Sequence, residues 1–296
     1  MRLPSRHPPT TAVETTADLV DRTSIEQDRN DALLAWYRAE RRDLPWRATS
    51  DPYAILVSEI MLQQTQASRV APFYQRFMGR FPTPEELAKA PLSDVLTLWS
   101  GLGYNNRAQR LQQAAAHVAE RGWPRDVDGL EQLPGVGPYT ARAVASIAFG
   151  VRVAAIDTNL RRVLSRWHGE ALTGTTLEAA AAQDLGDDAA AWNQAVMDLG
   201  ATRCRPRRPA CSDCPVREWC AGPGIYQPPR SQGRFEGSMR QVRGAIIRAL
   251  IRGPVGFAAL VDRTAIEPDL VAAALESLVV EGLVVERPDT SYALPD

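Results

Sequence analysis

The sequence of 296 residues predicts an all-α body followed by a small C-terminal unit that mixes helices and strands. Two observations support this fold class. Most segments with periodic apolar residues have the 3.6-residue spacing of a helix and are bounded by capping residues. Apolar runs typical of strands are scarce before the end of the chain. With an apolar content of 45%, such helices can bury one face against each other in a bundle.

The first helix signals follow a polar N-terminal segment. Residues 1–28 are rich in threonine, proline and charged side chains and lack the apolar run of a signal peptide, which predicts a disordered tail. The body is predicted over 29–226. Asp51-Pro52 is an N-cap followed by proline at the first helical position, and it predicts a helix through PYAILVSEIMLQQTQ. FPTPEELAKA and PLSDVLTLWSG predict two more helices, the second ending at Gly101.

The next helices surround a glycine-rich hairpin. A helix is predicted from Asn106 to Gly122, where glycine ends it. LPGVGPYTARA, residues 133–143, predicts a hairpin over 130–145 that leads into a helix. Asp157 predicts the start of a helix in TNLRRVLSRW, and TLEAAAAQDL and AAAWNQAVMDLGA predict two others.

The hairpin has the composition of an anion site. Glycine tolerates positive φ and lets a ligand approach the backbone, so Gly135 and Gly137 are predicted to turn tightly and point N–H groups outward. The following helix N-terminus adds further donors and a partial positive charge, which suit a phosphate. An ordinary connection between two helices is the alternative.

The C-terminal part is predicted to be a separate unit. The stretch 222–238 is dense in Gly, Pro and Ser, which predicts a linker over 227–238. Residues 239–296 read as three helices and two short strands around a Pro-Asp turn, which predicts a winged-helix-like domain. Its arginines suit DNA contact, but a packing or protein-docking role fits equally well; they are Arg240, Arg243, Arg248 and Arg252.

Charge and hydropathy narrow the function classes. The net charge of −1 lacks the strong basic excess that is usual for nucleic-acid binding. Lys89 is the single lysine, so amine-based covalent chemistry has few candidates. No apolar run approaches the 18 residues of a membrane span, and we expect a cytosolic protein.

Four cysteines form a metal-site pattern. They are spaced C-x6-C-x2-C-x5-C and are Cys204, Cys211, Cys214 and Cys220. Clustered thiols in a cytosolic chain indicate metal rather than disulfides, and thiolates favour an iron–sulfur cluster or a structural zinc ion. Free reduced thiols are the least supported alternative.

Two carboxylates are candidates for acid–base chemistry. Glu59 follows Ile55 and Leu56 at helical spacing, which puts it on or beside an apolar face that would favour its neutral form. A partly exposed Glu at a helix margin is the alternative. Asp157 follows an apolar run and opens a helix, so it is either an N-cap alone or an aspartate that helix N–H groups keep ionised.

Together these motifs resemble a known family. LPGVGPYTARA, the segment ending in Asp157 and the four-cysteine loop resemble the endonuclease III (helix-hairpin-helix) superfamily of DNA glycosylases. LPWR, SEIMLQQTQ, WSGLGY and WNQAVMDLGATRC are similar to its MutY-type adenine DNA glycosylases, over about residues 30–226. The resemblance implies a six-helix barrel module over about 50–155. It also implies a module formed by 29–49 and 156–226 that holds a [4Fe-4S] cluster through the cysteine loop 204–220.

The resemblance also implies roles for matching residues. Glu59 would protonate adenine and handle water, Asp157 would stabilise the sugar cation, and Tyr139 and Asn159 would support them. Trp46, Arg47 and Gln194 would line the base pocket. The implied duplex contacts are wedges at Gln64, Thr65, Leu102 and Tyr104, and backbone phosphate contacts at Gly135, Val136 and Gly137. A phenol at Tyr139, where lyase-type relatives carry lysine, implies a monofunctional enzyme.

The chain departs from the family at its C-terminus, where MutY-type enzymes carry a longer domain that reads 8-oxoguanine. The expected partner is therefore double-stranded DNA with a mismatch or lesion, bound by a monomer in the bacterial cytosol. Two alternatives stay open. One is a thymine or uracil mismatch glycosylase, and the other is a non-catalytic DNA-binding regulator.

Overall fold

The computed structural model describes residues 16–226 and 234–296. The helices of the body are α1 (Thr16–Glu40), α2 (Pro52–Leu62), α3 (Ala67–Arg80), α4 (Pro84–Lys89), α5 (Leu92–Trp99), α6 (Asn106–Arg121), α7 (Val127–Glu131), α8 (Pro138–Phe149), α9 (Thr158–His168), α10 (Gly174–Asp184) and α11 (Ala189–Thr202). The C-terminal unit contains α12 (Met239–Leu250), β1 (Val255–Gly256), α13 (Phe257–Thr264), α14 (Pro268–Val280), β2 (Val285–Glu286) and β3 (Ser291–Ala293).

The first core forms around α2, which packs against α3, α6 and α8. Residues 53–61 of α2 are all buried, as expected for a helix that is apolar on every side. The predicted start is confirmed, because the Asp51 carboxylate accepts the N–H groups of Tyr53 and Ala54. The helix ends at Leu62, earlier than predicted, and residues 63–66 form a turn instead.

The second core forms between α1, α9, α10 and α11 around buried side chains such as Leu33, Leu164 and Trp192. The two cores meet where α8 packs on α11, at Ala143, Ala155 and Met197. Residues that pack in the first core and residues that pack in the second core therefore meet at this junction.

A buried ion cluster fixes α1 to the second core. Asp184, which is fully buried, accepts one hydrogen bond from Arg29 Nη2 and pairs with His168 Nε2 at 2.7 Å. The Arg29 guanidinium also lies 4.3 Å from the centre of the Trp167 ring. The hydrogen bond to Asp184 raises the pKa of His168 above its ordinary value, against the opposing effect of burial.

We expect this cluster to make stability fall as the pH rises. A raised His pKa contributes stability that is fully present below the unfolded-state pKa of about 6.5 and is lost as the pH passes the folded-state value. His168→Gln should therefore destabilise the protein more at pH 6 than at pH 9. Urea unfolding of parent and variant at both pH values measures this difference, and an equal loss at both would contradict it.

Two sequence predictions about the body need correction. The predicted disordered tail over 1–28 is wrong for residues 16–28, which belong to α1, while 1–15 lie outside the described residues. Helix α3 was not among the predicted elements; Pro72 lies inside it and removes a backbone donor. The helix forms nevertheless because Val70, Tyr74 and Phe77, spaced by four and three residues, bury one face in the first core.

The C-terminal unit has the three helices and two strands that the sequence predicted, and an additional strand, β1. The strands pair antiparallel in the order β1-β3-β2. Of the predicted linker, residues 227–233 lie outside the described part of the chain. No helix among the described residues is both long and apolar enough to cross a membrane.

The unit packs directly on the body. Its buried residues, including Val242, Ile246 and Leu278, belong to the same apolar cluster as the first core. The backbone N–H of Ser93, at the start of α5, donates to the carbonyl of Pro295 at 2.9 Å. The body and the C-terminal unit therefore share one continuous core.

Candidate active site

A cavity of about 430 Å³ opens at the junction of the two modules. Its walls come from the end of α2, the start of α8, the N-cap of α9 and one face of α11. It brings together these predicted residues: Trp46, Arg47, Glu59, Gln64, Thr65, Tyr139, Asp157, Asn159 and Gln194. Both candidate carboxylates thus border one cavity.

Glu59 is buried in this cavity wall, with 6% of its surface exposed. Its Oε2 atom has no hydrogen-bond partner among the described residues. Burial raises the pKa of Glu59 above its ordinary value; Tyr139 and Arg47 lower it, and the negative charge of Asp157 raises it further. The alternative of a partly exposed Glu is wrong, and the environment favours the protonated acid.

Asp157 is held in place by three neighbouring groups. Its Oδ1 accepts the N–H of Leu160 at 2.7 Å, and its Oδ2 accepts Asn159 Nδ2 at 2.8 Å. Asn159 Oδ1 in turn accepts from Arg162 Nη2 at 2.7 Å. The hydrogen bond from Leu160 confirms the predicted N-cap, for which ionisation by helix N–H groups was one of two alternatives. Burial outweighs them and raises the pKa of Asp157, while these hydrogen bonds and the Arg162 charge lower it.

Tyr139 borders the cavity together with the two carboxyls. Burial and the charges of Glu59 and Asp157 raise the pKa of Tyr139 well above its ordinary value, so its phenol stays protonated. The hydroxyl lies 3.7 Å from Met197 Sδ. Lys89, by contrast, is exposed at the end of α4 and does not line the cavity.

Two polar pairs that the sequence did not reveal orient the side chains predicted for the base pocket. Asp198 is 1% exposed and accepts Arg47 Nη2 at 2.8 Å and Arg42 Nε at 2.9 Å. The Tyr37 hydroxyl donates to Gln194 Oε1 at 2.6 Å. Asp198 lies 151 positions from Arg47 along the chain, and Tyr37 lies 157 positions from Gln194. The one sign of these pairs in the sequence was a polar residue within an apolar helix.

The glycine hairpin differs in part from its prediction. Gly135 has φ +79°, and an added Cβ would lie 2.9 Å from Arg110 Cβ, so glycine is required there. Gly137 has φ −98° and is the N-cap of α8, so the predicted positive φ is wrong for it. The Val136 N–H donates to the Leu133 carbonyl at 3.1 Å and is already used inside the turn. Neither Gly135 N–H nor Gly137 N–H donates to an acceptor in the described chain.

The predicted wedge residues border a second cavity of about 500 Å³. It is lined by Gln64, Thr65, Leu102 and Tyr104, and Gln64 and Thr65 also border the first cavity. Gln64 and Tyr104 have φ 58° and 51°, a region that side chains other than glycine rarely adopt. Leu102 is 5% exposed and packs in the first core, so its side chain does not project as a wedge in this structure.

Buried Arg107 connects the two loops that carry these residues. Its guanidinium donates to the carbonyls of Ile60 and Met61 at 2.8 and 3.0 Å and to that of Gln63, all at the end of α2. It also donates to the Gly103 carbonyl at 3.0 Å in the other loop. Burial lowers the pKa of Arg107 to about 10, so it remains charged at neutral pH.

The four cysteines border one small cavity, and all are free thiols that are partly buried. Arg166 Nη1 donates to Cys204 Sγ at 3.1 Å. Among the described residues, no three His, Cys, Asp or Glu side chains are arranged so that they could hold one metal ion. The thiols therefore surround a common space without forming a site for a single ion.

Comparison with known proteins gives consistent matches. The sequence profile described as "HhH-GPD superfamily base excision DNA repair protein" matches residues 57–183. The chain is 41% identical to the adenine DNA glycosylase of Mycobacterium tuberculosis (strain H37Rv) over 89% of this chain and 92% of that protein. A match of this extent reaches into residues 239–296. The human adenine DNA glycosylase is 46% identical over 64% of this chain and 38% of its own length.

Solved structures with similar folds agree with these matches. A thermostable thymine-DNA glycosylase superposes with a TM-score of 0.63 at 32% identity, covering 68% of this chain and 97% of that one. A trapped endonuclease III–DNA covalent intermediate superposes with a TM-score of 0.57 at 24% identity, covering 67% and 95%. The second likeness supports the body's fold alone.

Proposed function

Because the chain belongs to the adenine DNA glycosylase family of the HhH-GPD superfamily, we propose that it is a monofunctional base excision repair enzyme. It hydrolyses the N-glycosidic bond of adenine mispaired with 8-oxoguanine or guanine in double-stranded DNA. One observation carries this proposal: Glu59 and Asp157 border the same cavity, and Glu59 Oε2 has no hydrogen-bond partner in the described part of the chain. Such a pair can act on both sides of a glycosidic bond.

The two carboxyls have different environments and can therefore take different roles, one as a proton donor and one as an ionised group. Glu59 lies among apolar groups, so its protonated form supplies a proton to the departing adenine and its conjugate base then accepts one from water. Asp157 accepts hydrogen bonds from Leu160 and Asn159, and both favour its ionised form. An ionised Asp157 stabilises the cation that develops on the sugar.

The base must leave the duplex before it can reach these acids. Flipping costs a few kcal/mol, and groups that fill the vacated space offset part of that cost. Gln64 and Thr65, at the boundary of the two cavities, are placed for this role. Trp46, Arg47 and Gln194 then border the extruded base, with Arg47 held by Asp198 and Gln194 held by Tyr37.

DNA binding by a chain without net positive charge has a structural basis. The N–H groups of Gly135 and Gly137 and the first turn of α8 can bind a phosphate without basic side chains. The side chain of Gln63 supports this turn by donating to the Gly135 carbonyl at 3.3 Å. Val136 acts only through the turn, since its N–H is already bonded.

The four cysteines would hold a [4Fe-4S] cluster, the cofactor that the resemblance to endonuclease III-type glycosylases implies. All four thiols border one common cavity, and thiolates are the usual ligands of such a cluster. The cluster would serve structurally by cross-linking the loop that carries Arg205, Arg207 and Arg208.

A duplex panel tests the proposed reaction. Single-turnover release of the base is measured with adenine opposite 8-oxoguanine, guanine or cytosine, and with thymine or uracil opposite guanine. We expect release of adenine, fastest opposite 8-oxoguanine or guanine. We expect no capture of an abasic duplex by borohydride, because none of the described residues that border the cavity is a lysine. Release of thymine or uracil would favour the alternative of a thymine or uracil mismatch glycosylase. Binding without release of any base would favour a regulator.

A further inference from the structure

Behind the wall of the first cavity, Tyr37 of α1 contacts Gln194 of α11. Tyr37 is 5% exposed, packs in the second core and does not line the cavity, whereas Gln194 does. The Tyr37 hydroxyl donates to Gln194 Oε1 at 2.6 Å. Gln194 Nε2 makes no hydrogen bond to any residue that the structure describes. The amide oxygen is therefore occupied, and the amide nitrogen is the end that remains for a bound base.

The protonation state of the phenol decides which end of the amide faces it. Burial raises the pKa of Tyr37, while the charge of Arg47 lowers it and that of Asp198 raises it. The phenol therefore keeps its proton at neutral pH. If the amide were turned round, its N–H groups would face the hydroxyl, and the buried phenol proton would lose its acceptor. Tyr37 thus favours one of the two orientations of the Gln194 amide.

The cations around Tyr37 favour the same orientation. The Arg47 guanidinium lies 6.0 Å from the centre of the Tyr37 ring, and Arg41 also acts on the phenol through its charge. Guanidinium groups donate hydrogen bonds but cannot accept them, so neither arginine can replace Gln194 as the acceptor of the phenol proton. Their positive charge attracts the amide oxygen and repels the amide N–H groups. Hydrogen bonding and charge therefore both direct Gln194 Nε2 away from Tyr37.

Arg47, which lines the same cavity, offers a further donor. Its Nη2 is held by Asp198 at 2.8 Å, and its buried Nε has no hydrogen-bond partner among the described residues. Adenine suits such donors, because its unprotonated ring nitrogens, such as N7 and N3, accept hydrogen bonds. A base that lacks the matching acceptor would leave a donor of this wall unpaired, which lowers its affinity.

We propose that Tyr37 is a positioning residue for base selection, which fixes Gln194 as a hydrogen-bond donor to a ring nitrogen of the extruded adenine. The inference rests on the proposed function, since it presupposes that adenine occupies the first cavity. Tyr37 contacts neither the base nor the reacting atoms. It acts through the orientation of the Gln194 amide, so its loss changes how strongly one atom of the base is recognised.

Binding of the full chain to analogue duplexes tests this role. The duplexes carry 2′-fluoro-deoxyadenosine, which resists hydrolysis, or its 1-deaza, 3-deaza or 7-deaza form opposite guanine. Each deaza analogue replaces one ring nitrogen by C–H. We expect one of these replacements to weaken binding by the parent about fivefold, the effect of one hydrogen bond. The same replacement should weaken binding less than about twofold in Gln194→Met and in Tyr37→Phe.

Tyr53→Phe is the matched control. The Tyr53 hydroxyl donates to the Phe81 carbonyl at 2.9 Å in the first core, and Tyr53 does not line the cavity. The control therefore removes one buried hydrogen bond of the same kind elsewhere in the body. It should keep the parental response to every analogue, so a general loss of stability cannot produce the result expected for Tyr37→Phe. Thermal melting of both variants checks that they are folded.

The outcomes that overturn the inference are distinct. A Tyr37→Phe variant with the parental loss of affinity would show that Gln194 keeps its orientation without the phenol. No loss in the parent for any analogue, or an equal loss in Gln194→Met, would show that Gln194 does not donate to a ring nitrogen. Failure of the parent to release adenine from any duplex would refute the proposed function, independently of these binding data.

Discussion

Glu59→Gln should lower the single-turnover rate of adenine release by roughly a hundredfold to ten-thousandfold, the usual contribution of a general acid. Glutamine matches the shape of the buried side chain but carries no transferable acidic proton. Duplex binding should stay within about twofold of the parent, because the amide fits the same space and the substitution removes an interaction made during bond breaking. Single-turnover kinetics and equilibrium binding measure the two effects separately.

The control and the pH dependence sharpen this prediction. Glu85→Gln, an exposed carboxyl on α4, should leave the rate unchanged. Since burial raises the pKa of Glu59, its acid form and hence the activity should persist to higher pH than an ordinary glutamate would allow. A Glu59→Gln enzyme that retained the parental rate would show that another group protonates the base.

Arg107→Met should destabilise the protein by about 3 kcal/mol or more, because each buried acceptor that loses its partner costs about 1–3 kcal/mol. Methionine fills much of the same volume, but the carbonyls of Ile60, Met61 and Gly103 lose their donor. The ring contacts of the guanidinium with Trp99 and Tyr104 are lost as well. Urea unfolding and thermal melting measure the effect, with a melting temperature lower by roughly 10 °C.

Two further variants separate this interaction from general helix effects. Arg121→Met removes an exposed arginine from the last turn of the same helix and should change stability by less than about 0.5 kcal/mol. Arg107→Lys keeps the charge but has fewer and differently placed donors. Its loss of stability should therefore lie between those of Arg121→Met and Arg107→Met. If Arg107→Met and Arg121→Met had the same melting temperature, the Arg107 guanidinium would not be stabilising the two loops.

Local signals in the sequence predicted much of the site. Asp51-Pro52 and Asp157 mark helix starts, and the structure has helices beginning directly after both. The position of Glu59 on an apolar face followed from its spacing to Ile55 and Leu56, and its burial is confirmed. Each of these inferences needs only neighbours within one or two helical turns.

The remaining features depend on contacts between distant residues. Arg107 binds carbonyls more than 40 positions earlier, and Asp198 binds Arg42 from 156 positions away. Neither pairing leaves a periodic pattern. Helix α3 forms despite Pro72 because tertiary packing outweighs one missing backbone donor. Similarly, burial of Asp157 depends on how two modules meet, so the direction of its pKa shift was not accessible from the N-cap pattern alone.

The continuous core has a consequence for how this chain tolerates truncation. Since apolar side chains of the last helices complete the packing around α2, a premature stop after the linker would uncover part of the catalytic body's own interior. The truncation would then destabilise the catalytic body as well as remove the C-terminal unit. It would weaken the support beneath the turn that separates the two cavities, so late frameshifts in the gene should behave as folding defects.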